Sequence, residues 1–330
     1  MLVSYRLYLT CNEKEELNLK ILVTGATGFV GKAVTQKLDK YTVCLTARRE
    51  PLGNFAEFFE KIISSTTDFS DCLANIDVVI HTAARVHQMN DKCEDPLSEF
   101  MEVNCFGTLN FARQAVKAGV KRFIFLSSIK VNGEKTERGF PFRFDDNPAA
   151  QDAYGVSKAK AEEGLLEIAR TSNLEIVIIR PPLVYGSGVK ANFQSLMKLS
   201  QLNLPLPLGG LCNRRSFVAI ENLVDLIIIC IDHPNAANKV FLISDNSDIS
   251  TTELLSLMAD AFGRKAIFLN ISPRILKFVA RCLGKESIIE RLCNDLQIDI
   301  KHTQDTLGWT PPMSMTDSIR RCAEYLENID

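Results

Sequence analysis

Two residues near the middle of the chain are spaced for proton transfer. Tyr154 and Lys158 stand four apart in Tyr154-Gly155-Val156-Ser157-Lys158, at the start of an expected helix. That spacing sets them on one helical face, about one turn apart. A cation there favours the phenolate and draws the tyrosine pKa towards working pH, which suits general acid–base catalysis. Ser127 and Ser128 end an expected strand, with Ser128 lying 26 residues before Tyr154. In an open parallel sheet the carboxyl ends of the strands form the ligand crevice. Serine, tyrosine and lysine can therefore meet beside a nicotinamide. Such a set moves a proton from a hydroxyl to the tyrosine while a hydride leaves the same carbon; run backwards, it reduces a ketone.

A second motif supplies the place for a dinucleotide. Thr24-Gly25-Ala26-Thr27-Gly28-Phe29-Val30-Gly31 follows an expected strand and opens a helix. Gly25 permits the tight turn, Gly28 lets the backbone approach a pyrophosphate, and Gly31 lets the helix pack on the sheet. Helix N-terminal amides around Thr27, Phe29 and Val30 then face the phosphates. Next along the chain, Val43-Cys44-Leu45-Thr46-Ala47-Arg48-Arg49 carries no acid where an NAD site usually holds Asp or Glu. A carboxylate would repel a 2′-phosphate, whereas Arg48 and Arg49 would pair with it, so the reading favours NADP (as NADPH) with NAD possible. Asp68 could bond an adenine amino group or simply hold a turn. Ala83 and Ala84 could leave room beside the cofactor or simply pack.

These residues need a framework. Short β-branched runs at Lys20–Thr24, Tyr41–Thr46, Lys61–Ser64, Ile76–Thr82, Lys121–Ser127 and Leu174–Ile179 read as strands. Helical patterns at Val30–Lys40, Glu99–Gly119 and Ala153–Thr171 alternate with them. The alternation predicts an α/β chain, a Rossmann-type doubly wound parallel sheet with helices on both faces. After Arg180-Pro181-Pro182 the texture changes. Pro205, Pro207, Gly209 and Gly210 mark loops, Glu221–Ile231 and Lys239–Ile243 return to the sheet, and Thr251–Asp330 is mostly helical. The expected organisation is an extension over 1–18 and a dinucleotide-binding domain over 19–180 that includes returning segments at about 218–246. A smaller substrate domain, mostly helical, takes 181–217 and 247–330.

Composition narrows the classes. The 330 residues carry 38 Lys+Arg against 40 Asp+Glu, a net charge of −2. That balance argues against electrostatic binding of nucleic acid or a membrane surface. The longest apolar run, Leu223–Ile231, is too short to span a bilayer, and the N-terminus does not read as a signal peptide. No two of the ten cysteines are closer than eleven residues, which excludes C-x-x-C pairs and points to buried thiols in a reducing cytoplasm. His81, His87, His233 and His302 have no ligand spacing, so no metal site is expected. Trp309 reads as a packing residue.

Taken together, these motifs resemble the short-chain dehydrogenase/reductase superfamily in its extended form, the nucleotide-sugar epimerases, dehydratases and ketoreductases. The resemblance runs over most of 20–312. It includes TGATGFVG, HTAA at 81–84, VNCFGTLN around Asn104, LSSIKVNG at 126–133, YGVSK at 154–158, RPPLVYG at 180–186 and NRRSFVAIENLVD at 213–225. It implies that Ser128, Tyr154 and Lys158 are catalytic, with Ser128 on the substrate oxygen, Tyr154 shuttling the proton and Lys158 on the nicotinamide ribose. Asn104 would support that geometry, and Pro181 would lie against the cofactor. It further implies a UDP-sugar near Asn192, Phe193 and Arg215, and a homodimer built on the Asn104 and Tyr154 helices.

Departures from the family narrow the chemistry. Val131-Asn132-Gly133 replaces the Val-Tyr-Gly common in sugar epimerases. Ile129 and Lys130 stand where 4,6-dehydratases carry Asp and Glu, which removes the acid for dehydration. Two enzyme readings remain. A 4-ketoreductase acting with NADPH on a UDP-4-keto-hexose or N-acetylhexosamine, for surface polysaccharide, is favoured by Arg48 and Arg49. A UDP-glucose or UDP-N-acetylhexosamine 4-epimerase with bound NAD is the alternative. A non-catalytic dinucleotide sensor is the third reading.

Overall fold

The computed structural model describes residues 19–86, 95–190, 192–202, 204–282, 284, 290 and 292–328. The segment 1–18, Cys11, His87, Cys93 and the side chain of Asn192 lie outside the described residues. Seven parallel strands form the main sheet: β1 (Lys20–Thr24), β2 (Thr42–Ala47), β3 (Glu57–Glu60), β4 (Val78–His81), β5 (Arg122–Leu126), β6 (Glu175–Arg180) and β9 (Lys239–Leu242). Their spatial order is β3-β2-β1-β4-β5-β6-β9. The order reverses between β1 and β4, where Thr24 lies opposite His81. That reversal opens the crevice in which doubly wound sheets bind ligands.

Strand alternation explains the two cores. Ile21, Val23, Val43, Leu45, Val78, Ile80, Ile124, Val177 and Ile179 point to one face, against Val34 and the helix residues Leu223, Val224 and Ile227. Leu22, Cys44, Val79, Phe123, Phe125, Ile176 and Ile178 point to the other, against Leu109, Phe111, Ala112, Ala161 and Leu165. Strands buried on both faces carry continuous apolar runs rather than alternating ones, which is why they stand out in the sequence.

Helices α1 (Phe29–Thr35) and α6 (Ile220–Asp232) cover the first face; α3 (Thr108–Ala118) and α4 (Ala153–Thr171) cover the second. The expected helix over Glu99–Gly119 begins earlier, at α2 (Pro96–Phe100), where the Asp95 side chain accepts from Ser98 N. It then passes through a π-helical turn, Met101–Gly107, and ends on Gly119 at φ +79°. The third strand departs from expectation. Lys61–Ser64 is not a strand, and the pairing with β2 is made by Glu57–Glu60 instead. An edge strand keeps one side in water, so its Glu-Phe-Phe-Glu lacks the apolar run that marks the inner strands. α1 is also shorter than Val30–Lys40: the chain turns at Gln36 and Leu38 to reach Tyr41.

Beyond β6 a small parallel pair forms, β7 (Leu183–Tyr185) with β8 (Phe217–Ala219). Around it pack α5 (Asn192–Gln201), α7 (Thr251–Ala261), α8 (Pro273–Cys282) and α10 (Met315–Glu327), with a core that includes Tyr185, Phe193, Met197, Leu255, Met258 and Ile319. α9 (Lys301–Leu307) lies beside β9, and Thr303 Oγ1 donates to Leu242 O at 2.6 Å. Trp309 is buried in the first core and donates to Asp225 Oδ2 at 2.8 Å. Among the described residues no helix is long and apolar enough to cross a membrane. Cys44, Cys72, Cys105, Cys230 and Cys322 are buried thiols.

Candidate active site

The glycine turn is held by contacts that leave no room for a side chain at Gly25 or Gly31. Gly25 sits at φ +71°, its amide donates to Thr46 O at 3.1 Å, and a Cβ there would come within 2.7 Å of Ala83 N. A Cβ on Gly31 would lie 2.2 Å from Gly25 O. Gly28 has no such conflict beyond Gly25 O at 3.1 Å, and it starts α1 without a capping side chain. Two glycines therefore close the turn, and the third leaves the helix N-terminus open towards the crevice, with Thr27 exposed and Phe29 and Val30 half-buried.

The switch point itself is tied by a buried histidine. His81 Nδ1 lies 2.7 Å from Thr24 Oγ1, and Nε2 lies 2.9 Å from Thr108 Oγ1. A neutral ring satisfies both contacts, one nitrogen donating and the other accepting. Burial, with the Lys158 charge nearby, pushes this imidazole down to about 3. Ala83 N donates to Thr24 Oγ1, so the backbone after β4 is fixed to the end of β1. Ala83 and Ala84 are half-buried beside the turn.

Ser127 and Ser128 diverge, as successive residues of an extended chain must. Ser127 is buried and its hydroxyl donates to Glu162 Oε1. Ser128, at φ −158° and ψ 149°, is half-buried and caps the turn Ile129–Val131 by accepting from Lys130 N. Of the two, Ser128 is the one turned away from Glu162 and the core. α4 begins beside it. The Asp152 carboxylate caps α4 by accepting from Gly155 N at 2.7 Å, and its other oxygen takes the Lys130 ammonium.

Tyr154 and Lys158 share one face of α4, as the spacing predicts. The ammonium lies 5.9 Å from the tyrosine ring centre and 4.4 Å over the Phe125 ring, and donates to Leu126 O at 2.8 Å. Burial drives the Lys158 pKa down to about 7, with Glu162 pulling the other way. Here one expectation is corrected. The tyrosine pKa is raised rather than drawn down, first by burial and then by the Asp152 carboxylate. A lysine that is itself poorly solvated gives its charge up readily, and the nearer anion caps the same helix.

Asn104 lies in the π-helical turn, fully buried. Its Oδ1 accepts from Arg85 N at 2.8 Å, while Nδ2 donates to Arg85 O and to Ser157 Oγ, each at 3.0 Å. It thus joins the backbone after β4 to α4.

The remaining expected residues are dispersed. Arg48 and Arg49 are exposed just past β2. Asp68 is exposed and its carboxylate accepts from Ser70 N at 2.9 Å, which lowers its pKa. Pro181 is buried, and its carbonyl accepts from Ile129 N. Asn192 opens α5. Phe193 is buried and stacks on Tyr185 with ring centres 4.9 Å apart, so its side chain belongs to the C-terminal core. Arg215 is half-buried where the chain bridges Ile249 and Leu296, and it donates to Asn294 O. The spacing that singles out Tyr154 and Lys158 continues to Glu162, a signal that the motif reading leaves unused.

These residues fit a nicotinamide dinucleotide. The glycine cradle leaves one open face, and Thr46 Oγ1 at the end of β2 is buried with no protein partner. Lys158 presents a buried ammonium beside the strand ends.

Known proteins resemble this chain in sequence and fold. The model of the NAD dependent epimerase/dehydratase family matches residues 21–244. A UDP-glucose 4-epimerase from Vibrio cholerae is 47% identical over 320 residues, covering 95% of this chain and 97% of that protein. Two solved structures share the fold. UDP-glucuronic acid 4-epimerase from Bacillus cereus in complex with NAD superimposes with a TM-score of 0.75 at 22% identity, covering 94% of this chain and 99% of that one. RMD from Pseudomonas aeruginosa complexed with NADPH does so at 0.71 and 20%, covering 93% and 99%. With a Rossmann-type sheet, a glycine cradle and a family match over most of its length, the chain belongs to the NAD-dependent epimerase/dehydratase family of short-chain dehydrogenase/reductase enzymes.

Proposed function

We propose that this enzyme is a 4-epimerase of a UDP-hexose or UDP-N-acetylhexosamine that keeps its NAD bound through the cycle. The observation that carries this is the 47% identity along nearly the whole of a UDP-glucose 4-epimerase. It moves the emphasis away from the ketoreductase that the arginines after β2 favour. Bound nicotinamide supplies a hydride acceptor that can return the hydride to the other face of the sugar. The residues of the chain handle the rest. Tyr154 Oη takes the proton from the C4 hydroxyl and later returns it. Ser128 Oγ hydrogen-bonds the same oxygen. Lys158 would hold the ribose hydroxyls, and the charge it carries when protonated favours the phenolate against the burial that disfavours it. Arg215, with Asn192, would take the diphosphate side of the sugar nucleotide in the helical part of the chain, over about 181–217 and 247–330.

The purified protein incubated with UDP-glucose, or with UDP-N-acetylglucosamine, and no added coenzyme tests this. Formation of the C4 epimer is the expected result. Turnover that requires stoichiometric NADPH and a 4-keto sugar would establish the reductase instead. That second reading rests on Arg48 and Arg49, exposed just past β2. Release of NADP rather than NAD on denaturing the purified enzyme would favour it. We place the enzyme in the cytoplasm, as the buried thiols suggest, and as a homodimer. Leu97 and Phe106, exposed along the Asn104 segment, support the dimer. A monomeric mass at micromolar concentration would refute it.

A further inference from the structure

One turn beyond Lys158 on α4 lies a buried ion pair between Glu162 and Arg180. Glu162 and Arg180 are 3% and 5% exposed. Arg180 Nε reaches both carboxylate oxygens at 3.0 and 3.1 Å, and Nη2 donates to Oε2 at 2.6 Å. The Ser127 hydroxyl donates to Oε1. Arg180 Nη1 donates to Asn132 Oδ1 at 2.9 Å, and Asn132 Nδ2 donates to Arg143 O at 2.8 Å. A buried ion pair is rarely more stable than an apolar pair of the same size, because desolvation offsets the attraction. Packing alone therefore gives a poor account of these charges.

Their neighbours give a better one. Glu162 is one turn beyond Lys158 and two beyond Tyr154 on α4. Ser127 sits between Leu126, whose carbonyl holds the Lys158 ammonium, and Ser128. Arg180 ends β6 and precedes Pro181, whose carbonyl takes Ile129 N. Glu162, Ser127 and Arg180 thus each stand one step from a residue of the proposed site, on α4, just past β5 and at the end of β6.

We propose that Glu162, clamped by Arg180 and Ser127, is a positioning residue that fixes the register of α4 on the ends of β5 and β6 and places a negative charge one turn from the Lys158 ammonium. The inference rests on Lys158 acting in the site as described above. The groups facing Lys158 are Tyr154 and Glu162 on α4, His81 on β4, and the Phe125 ring and Leu126 carbonyl on β5. His81 is held neutral by its burial, and Glu162 is the carboxylate among these groups. Arg180, bonded to both carboxylate oxygens, carries the opposite charge. The two charges of the pair therefore act on Lys158 with opposite signs, which a purely structural role would not produce.

The test uses the pH dependence of NAD affinity, by calorimetry, and of kcat, in variants that keep volume. In Glu162→Gln the limb belonging to Lys158 should move about one pH unit to the acid side, from the usual effect of removing one nearby charge. NAD affinity above that limb should then fall about tenfold. Arg180→Met should move the limb to the alkaline side. Either single variant leaves one buried charge without its partner and could fail to fold. The double variant Glu162→Gln/Arg180→Met removes both charges and should fold, with the limb still on the acid side. A folded Glu162→Gln or double variant with the wild-type profile overturns the proposal. Lys158→Met separates this from failure of the site itself: if that variant binds NAD and turns over as wild type, Lys158 has no role and the reading on which the inference rests is wrong.

Discussion

Asn104 Nδ2 donates to Ser157 Oγ at 3.0 Å, and Ser157 in turn donates to Tyr154 O at 2.7 Å. Through these two side chains the backbone at Arg85, beyond β4, and the first turn of α4 form one unit. Asn104→Ala removes three hydrogen bonds and leaves the Arg85 amide and carbonyl without them. The expected cost is about 1–3 kcal/mol of stability, from the desolvation of unsatisfied buried groups. A drop in kcat at little-changed sugar KM should accompany it. Urea unfolding with steady-state kinetics on the same preparation measures both; an unchanged kcat would show that the clamp does not reach Tyr154.

Tyr154→Phe deletes one oxygen and keeps the ring against Phe100, 6.0 Å away at a 70° inter-ring angle. The loss of general acid–base catalysis should lower kcat by about 10²- to 10⁴-fold. The melting temperature and NAD binding should stay close to wild type. Full activity in the variant would remove the tyrosine from the mechanism.

His81 should shape the acid limb of stability. Its imidazole is held at about 3 in the folded chain, against about 6.5 in an unfolded one. Between those values the unfolded chain binds a proton that the folded chain does not. The stabilisation is therefore complete above about 6.5 and is lost as pH falls towards 3. The slope from this group approaches about 1.4 kcal/mol per pH unit within that window. His81→Gln removes the titration, so its stability should fall less steeply from pH 6.5 to 4. Denaturant midpoints at half-unit pH steps compare the two slopes, and parallel curves would exclude His81 as the titrating group.

Gly31→Ala places a Cβ 2.2 Å from the Gly25 carbonyl oxygen and 2.8 Å from Thr82 Oγ1. Backbone must shift to admit it, at about 1–3 kcal/mol for overpacking. The same shift widens the turn, so NAD affinity should fall together with the melting temperature. Retention of both would mean that the turn relaxes without cost.

Much of this site is legible in the sequence because local rules place it. The glycine spacing, the i to i+4 relation of Tyr154 and Lys158, and the apolar runs of the inner strands are each set within a few residues. What sequence reading misses is set across the fold. Glu57–Glu60 is a strand only because β2 pairs with it. The His81 bridge needs Thr24 and Thr108, brought together by the crossing of β1, β4 and α3. Glu162 and Arg180 meet because α4 lies over the end of β6. The upward shift of Tyr154 also depends on the surroundings that bury it and on Asp152, rather than on its spacing from Lys158 alone.

The π-helical turn at Met101–Gly107 has a rotational consequence. A π-turn holds one residue more than an α-helix needs, so the segments on either side are offset in angular phase. Before the turn, Phe100 faces the Tyr154 ring; after it, Leu109, Phe111 and Ala112 face the sheet. Loss of a single residue from this turn would let it relax to α-helix and swing the leading segment by about 100°. Phe100 would then leave the tyrosine, and Asn104 would leave Arg85. The length of this helix, counted in single residues, is therefore as much a part of the active site as the side chains it carries.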